Sequence, residues 1–244
     1  MESGDSVDVL QVSRETFLDE HWEYTAGEHV TILGPTGCGK TWLSYQLMEA
    51  SATPKLPALI LVMKPRDDTV VKWSRTMGIK RIYSWPPPWR KVNKYLHGEP
   101  KGWVLWPSHT FEPEHDDYVL HRQFRKALLD SYKKGNRIVF GDEAYGLVNE
   151  LGLGKTLVTI WTRGRSMGTG LWVASQKPTH IPLHAYNQAE HLFLFNDPDK
   201  RARQRFTEIG GVDPDLVGQI VFDLEQHQCL YIRREGPSMC IIDK

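Results

Sequence analysis

The 244-residue sequence has no excess of charge of either sign and no apolar run long enough to cross a bilayer. Lysine plus arginine and aspartate plus glutamate each number 30, so an overall basic field does not attract a nucleic acid, and such a partner would have to meet locally placed cations. The longest apolar run, residues 56–63, is far shorter than the roughly 20 residues of a membrane helix. A buried strand is the better interpretation.

Cysteine is scarce as well. Cys38, Cys229 and Cys240 are an odd number without metal-ligand spacing, which excludes a disulfide scaffold and favours a reduced intracellular chain. The opening residues, MESGDSVDVL, are acidic and lack the apolar stretch of a secretory signal. We therefore predict a cytoplasmic protein without an integral membrane segment.

Strand-length apolar runs alternate with helix-like stretches along the chain, which predicts a mostly parallel α/β sheet with helices on both faces. Predicted strands are 29–33, 58–65, 80–85, 103–107, 137–144, 170–176, 191–195 and the two apolar runs after residue 227. Predicted helices are 41–51, 67–78, 113–134, 149–163, 197–210 and 213–220. We expect one domain at 28–244, preceded by an extension (1–27) that packs on it. Residues 85–102, with three consecutive prolines, are predicted to be an irregular excursion.

The stretch GPTGCGKT lies between the predicted strand 29–33 and the predicted helix 41–51. It matches the phosphate-binding pattern G-x-x-x-x-G-K-[ST] in the strand–loop–helix context that its mechanics require. Its backbone N–H groups and the helix N-terminus favour phosphate oxygens. Lys40 is expected to reach the β- and γ-phosphates, and the Thr41 hydroxyl to bind Mg²⁺. The predicted ATP-binding residues are Gly34, Pro35, Thr36, Gly37, Cys38, Gly39, Lys40 and Thr41.

Two acids, Asp142 and Glu143, stand at the end of an apolar strand, where α/β sheets bind their ligands. Asp142 is predicted to hold Mg²⁺ through its water shell, and Glu143 to polarise the water that attacks the γ-phosphate. A base here favours hydrolysis, because a kinase takes its attacking hydroxyl from the substrate. Gly141 departs from the unbroken apolar run that usually precedes such an aspartate.

Three further catalytic candidates follow. Gln176 ends an apolar strand expected beside that of Glu143, where a neutral amide can contact the γ-phosphate and the attacking water. Arg163 and Arg165 stand where a helix gives way to a glycine-rich turn and are expected to project from the subunit. A guanidinium delivered to a neighbour's γ-phosphate accelerates hydrolysis by ~10³-fold or more in known cases. A solvated charge or a surface salt bridge is the other interpretation of these arginines.

The motif order resembles the FtsK/HerA superfamily of ring-forming, DNA-pumping ATPases over about residues 28–200. The glycine loop is followed by GDE and then by RGRSMGTGLWVASQKP. The loop is common to all P-loop NTPases, whereas the Arg-x-x-Gly-x-x-Leu turn with its later Ser–Gln pair is more specific. The compact length is most similar to the genome-packaging ATPases of viruses and phages.

This resemblance implies a RecA-like core of the additional-strand class, in which the Gln176 strand lies between those of Gly34 and Asp142. It implies a homo-oligomeric ring, a hexamer or pentamer, with ATP at subunit interfaces and double-stranded DNA as a sequence-independent partner. A capsid or portal vertex protein would be a further partner, in the host cytoplasm or the virion. By position, Arg165 matches the arginine of the family's turn, and Arg163 is an extra candidate. Larger members carry an N-terminal barrel, membrane helices and a winged-helix domain not found here, which argues against a role in chromosome segregation.

A motor that moves any DNA sequence grips phosphates and ignores bases. Candidate phosphate contacts are Lys72, Arg75, Arg90, Lys91, Lys94, Lys200, Arg201, Arg203 and Arg205. A solvated charged face explains the last four equally well. Trp85 and Trp89 flank the prolines and could stack on single-stranded bases, although local packing is the favoured interpretation. The sequence does not choose among these patches.

Three other functions stay open. A small-molecule P-loop kinase would use an arginine-rich lid and would need neither Glu143 nor a projecting arginine turn. An assembly or secretion ATPase of the type that extrudes filamentous phage normally carries a membrane helix. A non-hydrolysing ATP-binding regulatory module is disfavoured by the complete set of loop, metal acid, base and arginine.

Overall fold

The computed structural model describes residues 9–88, 100–176, 181–199, 201, 205, 212–235 and 238–244. Within these ranges the chain forms one sheet of ten strands with helices on both faces, which confirms the predicted α/β class. The strands are β1 (Leu10–Val12), β2 (Val30–Leu33), β3 (Ala58–Leu61), β4 (Lys80–Ile82), β5 (Gly102–Leu105), β6 (Arg137–Gly141), β7 (Thr169–Ser175), β8 (His191–Phe195), β9 (Cys229–Arg233) and β10 (Ser238–Ile242). The α-helices are α1 (Arg14–Thr16), α2 (Lys40–Ser51), α3 (Asp68–Thr76), α4 (Pro113–Lys134), α5 (Gly154–Arg163), α6 (His184–Asn187) and α7 (Pro214–Asp223).

The strand order is β1-β10-β9-β8-β2-β7-β6-β3-β5-β4. Strands β8, β2, β7, β6, β3, β5 and β4 run parallel to one another, whereas β9 is antiparallel to both β8 and β10. Strand β7, which ends at Ser175, lies between the loop strand β2 and the acid strand β6. The sheet therefore has the RecA-like order that the resemblance implies.

Each face of the sheet is covered by its own layer of apolar side chains. Helices α2 and α3 bury Leu43 and Trp73 on one face, and helices α4, α5 and α7 bury Phe124, Trp161 and Val221 on the other. Fully burying a side chain of this size contributes about 1.5–3 kcal/mol. Because both faces are covered, the strands read as continuous apolar runs, which is why they were predictable.

Helix ends follow local chemistry. The Asp67 carboxylate accepts the N–H of Val70 and caps α3. Helix α4 ends where predicted, before Gly135, where a Cβ would lie 2.1 Å from a backbone carbonyl oxygen. The predicted helix 149–163 is instead a π-helical turn, Gly146–Glu150, followed by α5. Gly152, at φ +62°, separates the two, because a left-handed residue does not continue a helix.

Residues before β2 join the same sheet. Strand β1 pairs in parallel with β10, and Phe17 is fully buried against the rings of Phe193 and Tyr231. The sequence did not predict this three-residue strand. Most of the predicted excursion 85–102 and of the predicted helix 197–210 lies outside the described residues. No helix within the described ranges is long and apolar enough to span a bilayer.

Candidate nucleotide-binding and catalytic site

The glycine loop joins β2 to α2 at the carboxyl edge of the sheet. Gly37 and Gly39 have φ angles of +82° and +111°, a conformation that side chains disfavour. At Gly34 a Cβ would lie 2.5 Å from that of Phe195, so glycine permits the close approach of the loop to β8. Helix α2 begins at Lys40, and its first N–H groups lack partners within the helix. The loop thus has the backbone form of an anion cradle.

Lys40 is held across this loop. Its ammonium donates to the carbonyl oxygens of Gly34 and Pro35, each at 2.7 Å, and lies 3.9 Å from the Cys38 sulfur. Only 8% of the residue is exposed. A buried cation beside the N-terminus of helix α2 suits a polyanion such as a triphosphate.

The two predicted metal ligands are adjacent. The Thr41 hydroxyl donates to Asp142 Oδ1 at 3.0 Å, although 101 residues separate them in the chain. Mg²⁺ takes oxygen ligands and is commonly held by one or two carboxylates together with substrate phosphates, so this pair fits Mg²⁺. Lys64, which was not predicted to be a site residue, has its ammonium 3.6 Å from Asp142 Oδ2. Its position could have been predicted, because Lys64 follows the buried strand β3, which runs parallel to β6 and ends at the same edge of the sheet as β6 and its acids.

Glu143 is half-buried next to this pair. The Ser175 hydroxyl donates to its Oε1 at 3.4 Å, and the N–H of Tyr145 donates at 3.3 Å. Burial raises the pKa of the Glu143 carboxyl above its usual range; the charge of Asp142 adds to this, and the N–H of Tyr145 opposes it. A carboxylate made more basic in this way suits proton abstraction from water.

Packing explains why position 141 is a glycine. It is fully part of β6, paired with Leu61 and Val173, so the acids follow the strand directly as predicted. A Cβ at this position would lie 2.4 Å from Leu147 Cδ1. The glycine therefore leaves room for Leu147, a buried residue of the π-helical turn behind the acids.

Gln176 follows β7 immediately and is exposed. Its Oε1 accepts a hydrogen bond of 3.0 Å from the Thr36 hydroxyl in the glycine loop. Ser175, one residue earlier, donates to Glu143. The end of β7 therefore contacts the loop through Gln176 and the acid through Ser175.

The arginines lie at the opposite edge of the sheet. Arg165 comes four residues before the start of β7 and Ser175 ends it, and a seven-residue strand spans about 20 Å. The Arg165 side chain is 57% exposed and pairs with Glu190 at 2.8 Å and Glu235 at 3.3 Å. Arg163 is exposed at the end of α5. Neither arginine is near the glycine loop of its own chain.

Of the predicted DNA contacts, Lys72 and Arg75 are exposed on α3. The Lys72 ammonium lies 5.2 Å from the centre of the Trp42 ring. Arg201 is exposed and Arg205 is partly buried. The remaining predicted contacts lie outside the described residues: Trp89, Arg90, Lys91, Lys94, Lys200 and Arg203.

Trp85 belongs to the core. It is 4% exposed, packs edge-to-face on Trp103 at 5.9 Å, and its indole N–H donates to Asp130 at 3.1 Å. The Arg137 guanidinium lies 5.1 Å from its ring. These contacts support the packing interpretation, because the ring has no free face for a nucleic-acid base.

No family model and no curated protein matches this chain significantly, but solved structures match its fold. The genome packaging NTPase B204 from Sulfolobus turreted icosahedral virus 2, in complex with sulfate, has a TM-score of 0.61 and 15% identity. The match covers 90% of this chain and 98% of that one. VirB4 of Thermoanaerobacter pseudethanolicus has a TM-score of 0.63 and 11% identity, covering 88% and 89%. The DNA-packaging ATPase B204 from Sulfolobus Turreted Icosahedral Virus has a TM-score of 0.60 and 15% identity, covering 89% and 98%.

These matches confirm the predicted resemblance at the level of the fold. The chain has the RecA-like P-loop ATPase fold, and its glycine loop, acids and strand-end glutamine meet at the carboxyl edge, where this class binds nucleotide. At identities of 11% and 15%, the likeness extends to the fold and no further.

Proposed function

We propose that the protein is an ATP-driven double-stranded DNA translocase that packages a viral genome into a preformed capsid. One observation carries the proposal: β7 bridges the glycine loop and Glu143 through Gln176 and Ser175. In this proposal the glycine loop holds the triphosphate, Glu143 is the base, and Gln176 detects the loss of the γ-phosphate. The fold shared with B204, a viral genome packaging NTPase, supports the choice of cargo.

In the proposed reaction Lys40 and the loop N–H groups hold the β- and γ-phosphates of ATP. Thr41 and Asp142 would hold Mg²⁺, which neutralises charge on the phosphate oxygens. Glu143 accepts a proton from a water molecule while the oxygen of that water forms a bond to the γ-phosphorus. The bond between that phosphorus and the β–γ bridging oxygen breaks, which yields ADP and inorganic phosphate. Structures of B204 with ATP-gammaS and AMPPCP support an adenine nucleotide as the ligand.

The proposal requires a ring, a hexamer or pentamer, because Arg165 and Arg163 lie at the edge of the sheet opposite their own loop. In a head-to-tail ring each subunit delivers its arginine to the next subunit's nucleotide. A heterologous contact that closes on itself is the symmetry that permits this. In this proposal Arg165 stabilises charge on the γ-phosphate, and Gln176 senses whether that phosphate is present.

Duplex DNA would contact the ring through phosphates, with Lys72 and Arg75 as the described candidates. A capsid or portal vertex protein would be the docking partner. Neither contact needs an excess of positive charge over the whole chain, because only a pore or rim has to carry it.

The test is the ATP hydrolysis rate with and without linear duplex DNA, together with the particle mass. We expect hydrolysis without any phosphate acceptor, stimulation by DNA, and a mass of five or six subunits. The Lys40→Ala variant, purified in parallel, measures contaminating ATPase activity. Phosphate transfer only to an added small-molecule acceptor would favour the kinase alternative, and a ring whose hydrolysis ignores DNA would favour the assembly or secretion ATPase.

A further inference from the structure

A cavity of about 980 Å³ lies beside the glycine loop, at the upper end of the range for small-molecule sites. One wall is formed by Gly37, Gly39, Lys40, Thr41 and Trp42. A second wall is formed by residues near the N-terminus, in the turn at 225–228 and at the last position of the chain: Arg14, Glu15, Leu18, Asp19, His227 and Lys244. The sequence analysis assigned none of the second group to a site.

The second wall is a fixed part of the fold. Ser13 caps α1 by accepting the N–H of Thr16, and Phe17 anchors the segment in the core. The turn at 225–228 is closed by the Glu225 N–H, which donates to the Gln228 side chain at 2.7 Å. A cavity with such walls is preformed for a ligand.

Arg14 and His227 connect this wall to the glycine loop. One nitrogen of the Arg14 guanidinium donates to the His227 carbonyl at 3.2 Å, and the other lies 3.5 Å from Gln46 Oε1 on α2. The His227 ring nitrogen Nδ1 lies 3.1 Å from the Cys38 carbonyl oxygen. The Arg14 Nε is buried without a hydrogen-bond partner, but each terminal nitrogen carries two N–H groups and uses one of them in these contacts, so the guanidinium has donors left for a ligand.

The charges of this region indicate which part of a nucleotide it fits. Arg14 and Lys244 are offset by Glu15 and Asp19 on the same wall, which suits an uncharged group better than further phosphates. Trp42 borders the cavity with 48% of its surface exposed. The Lys72 ammonium lies over its ring at 5.2 Å and Trp73 packs edge-to-face with it at 5.0 Å, so the exposed remainder of the indole is the part available to a base.

We infer that this part of the cavity is the nucleoside subsite of the nucleotide site, with Arg14 and the turn at 225–228 as its specificity-determining contacts and Trp42 as its aromatic platform. The inference rests on the proposed function for the triphosphate in the glycine loop. In this inference the segment that carries Arg14 and the turn at 225–228 select a nucleoside triphosphate over inorganic polyphosphate.

The test compares ATP with inorganic tripolyphosphate, which fills the loop but carries no nucleoside. Calorimetric titration of the full chain with each ligand is repeated on Arg14→Ala. We expect the Kd for ATP to rise about tenfold, as for the loss of a charged hydrogen bond, and the Kd for tripolyphosphate to change less than about twofold. Arg122→Ala, an exposed arginine on α4, is the matched control and should change neither.

Trp42→Ala provides a second test if Arg14→Ala unfolds, because Trp42 is half-exposed and its loss should spare the fold. Trp42→Ala should also weaken the binding of ATP while leaving the binding of tripolyphosphate nearly unchanged. Equal losses for both ligands, or no loss for either, would overturn the subsite while leaving the glycine loop in place. Binding of neither ligand by the unaltered chain would overturn the proposed function and the subsite with it.

Discussion

The two edges of the sheet have opposite characters. At the carboxyl edge the glycine loop lines one cavity, Asp142 and Glu143 line another, and Gln176 is exposed. At the amino edge the polar groups are buried and bonded to one another: His191 lies 3.1 Å from Glu28 and 2.9 Å from the Tyr231 hydroxyl. One edge is built to meet a ligand and the other to hold the strands in register.

Arg165 is the exception at the amino edge. Its guanidinium is largely exposed, although it is tethered to Glu190, whose carboxylate also accepts the N–H of His29 at 2.7 Å. A strand length of about 20 Å separates it from its own glycine loop. If Arg165 takes part in hydrolysis, as we propose, it has to act on the glycine loop of a neighbouring subunit.

The largest expected effect is at the carboxyl edge. Lys40→Ala removes the only cation that bridges the loop carbonyls of Gly34 and Pro35 in the described structure, and this is the cation that we propose contacts the phosphates. We expect nucleotide binding to be abolished in a calorimetric titration. Lys55→Ala, at an exposed lysine, is the control and should bind normally; normal binding by Lys40→Ala would contradict the loop assignment.

Glu143→Gln keeps the shape of the side chain but removes the base. We expect ATP to bind as before and turnover to fall by ~10²–10⁴-fold, the usual contribution of a general base. Glu150→Gln, an exposed acid nearby, should keep its activity. Because burial raises the pKa of Glu143, neutralising it should also leave the melting temperature at pH 7 unchanged or higher, which separates lost chemistry from lost folding.

Arg165→Ala tests the amino edge. If the arginine acts on a neighbour's nucleotide, turnover should fall by ~10³-fold with ATP affinity nearly unchanged. If it serves only to bridge Glu190 and Glu235, thermal stability should fall and turnover per folded subunit should not. Arg163→Ala, measured in parallel, shows which of the two arginines carries the effect.

The pH dependence of ATP hydrolysis tests Glu143 as the general base. A general base works only when it is deprotonated, so activity is lost as the pH falls through its pKa. Since burial raises the pKa of the Glu143 carboxyl, the acidic limb of the hydrolysis profile should lie above the usual pKa of a glutamate. A limb at or below 4.5, the ordinary pKa of a glutamate, would be evidence against Glu143 as the base.

The smallest effect is expected at Gln176. Its amide is held by the Thr36 hydroxyl at 3.0 Å, and one hydrogen bond of this kind contributes about 0.5–1.5 kcal/mol. Gln176→Ala should therefore lower turnover by about two- to tenfold and weaken the response to DNA. Gln219→Ala, at an exposed amide on α7, should leave turnover intact.

The fold and the carboxyl-edge residues were predictable because they follow local rules. Strands buried on both faces read as apolar runs, and parallel strands end at one edge, which brings Thr41 to Asp142 and Gln176 to the glycine loop. The sheet order came from the motif resemblance, since periodicity does not specify which strands are neighbours.

What was not predictable depends on contacts distant in the chain. Strand β1 has only three residues and exists because β10 pairs with it. The contacts of Arg14 with His227 and of Arg165 with Glu190 join segments far apart in sequence. No spacing rule links such pairs, so only the tertiary structure shows them.

The most direct measurement mixes two inactive variants. Arg165→Ala subunits keep the loop and Glu143, and Glu143→Gln subunits keep the arginine, so a mixed ring contains interfaces with both intact. We expect the mixture to hydrolyse ATP well above the sum of its separate components, at a concentration where rings form. Activity no higher than that sum would contradict the division of the site between neighbouring subunits.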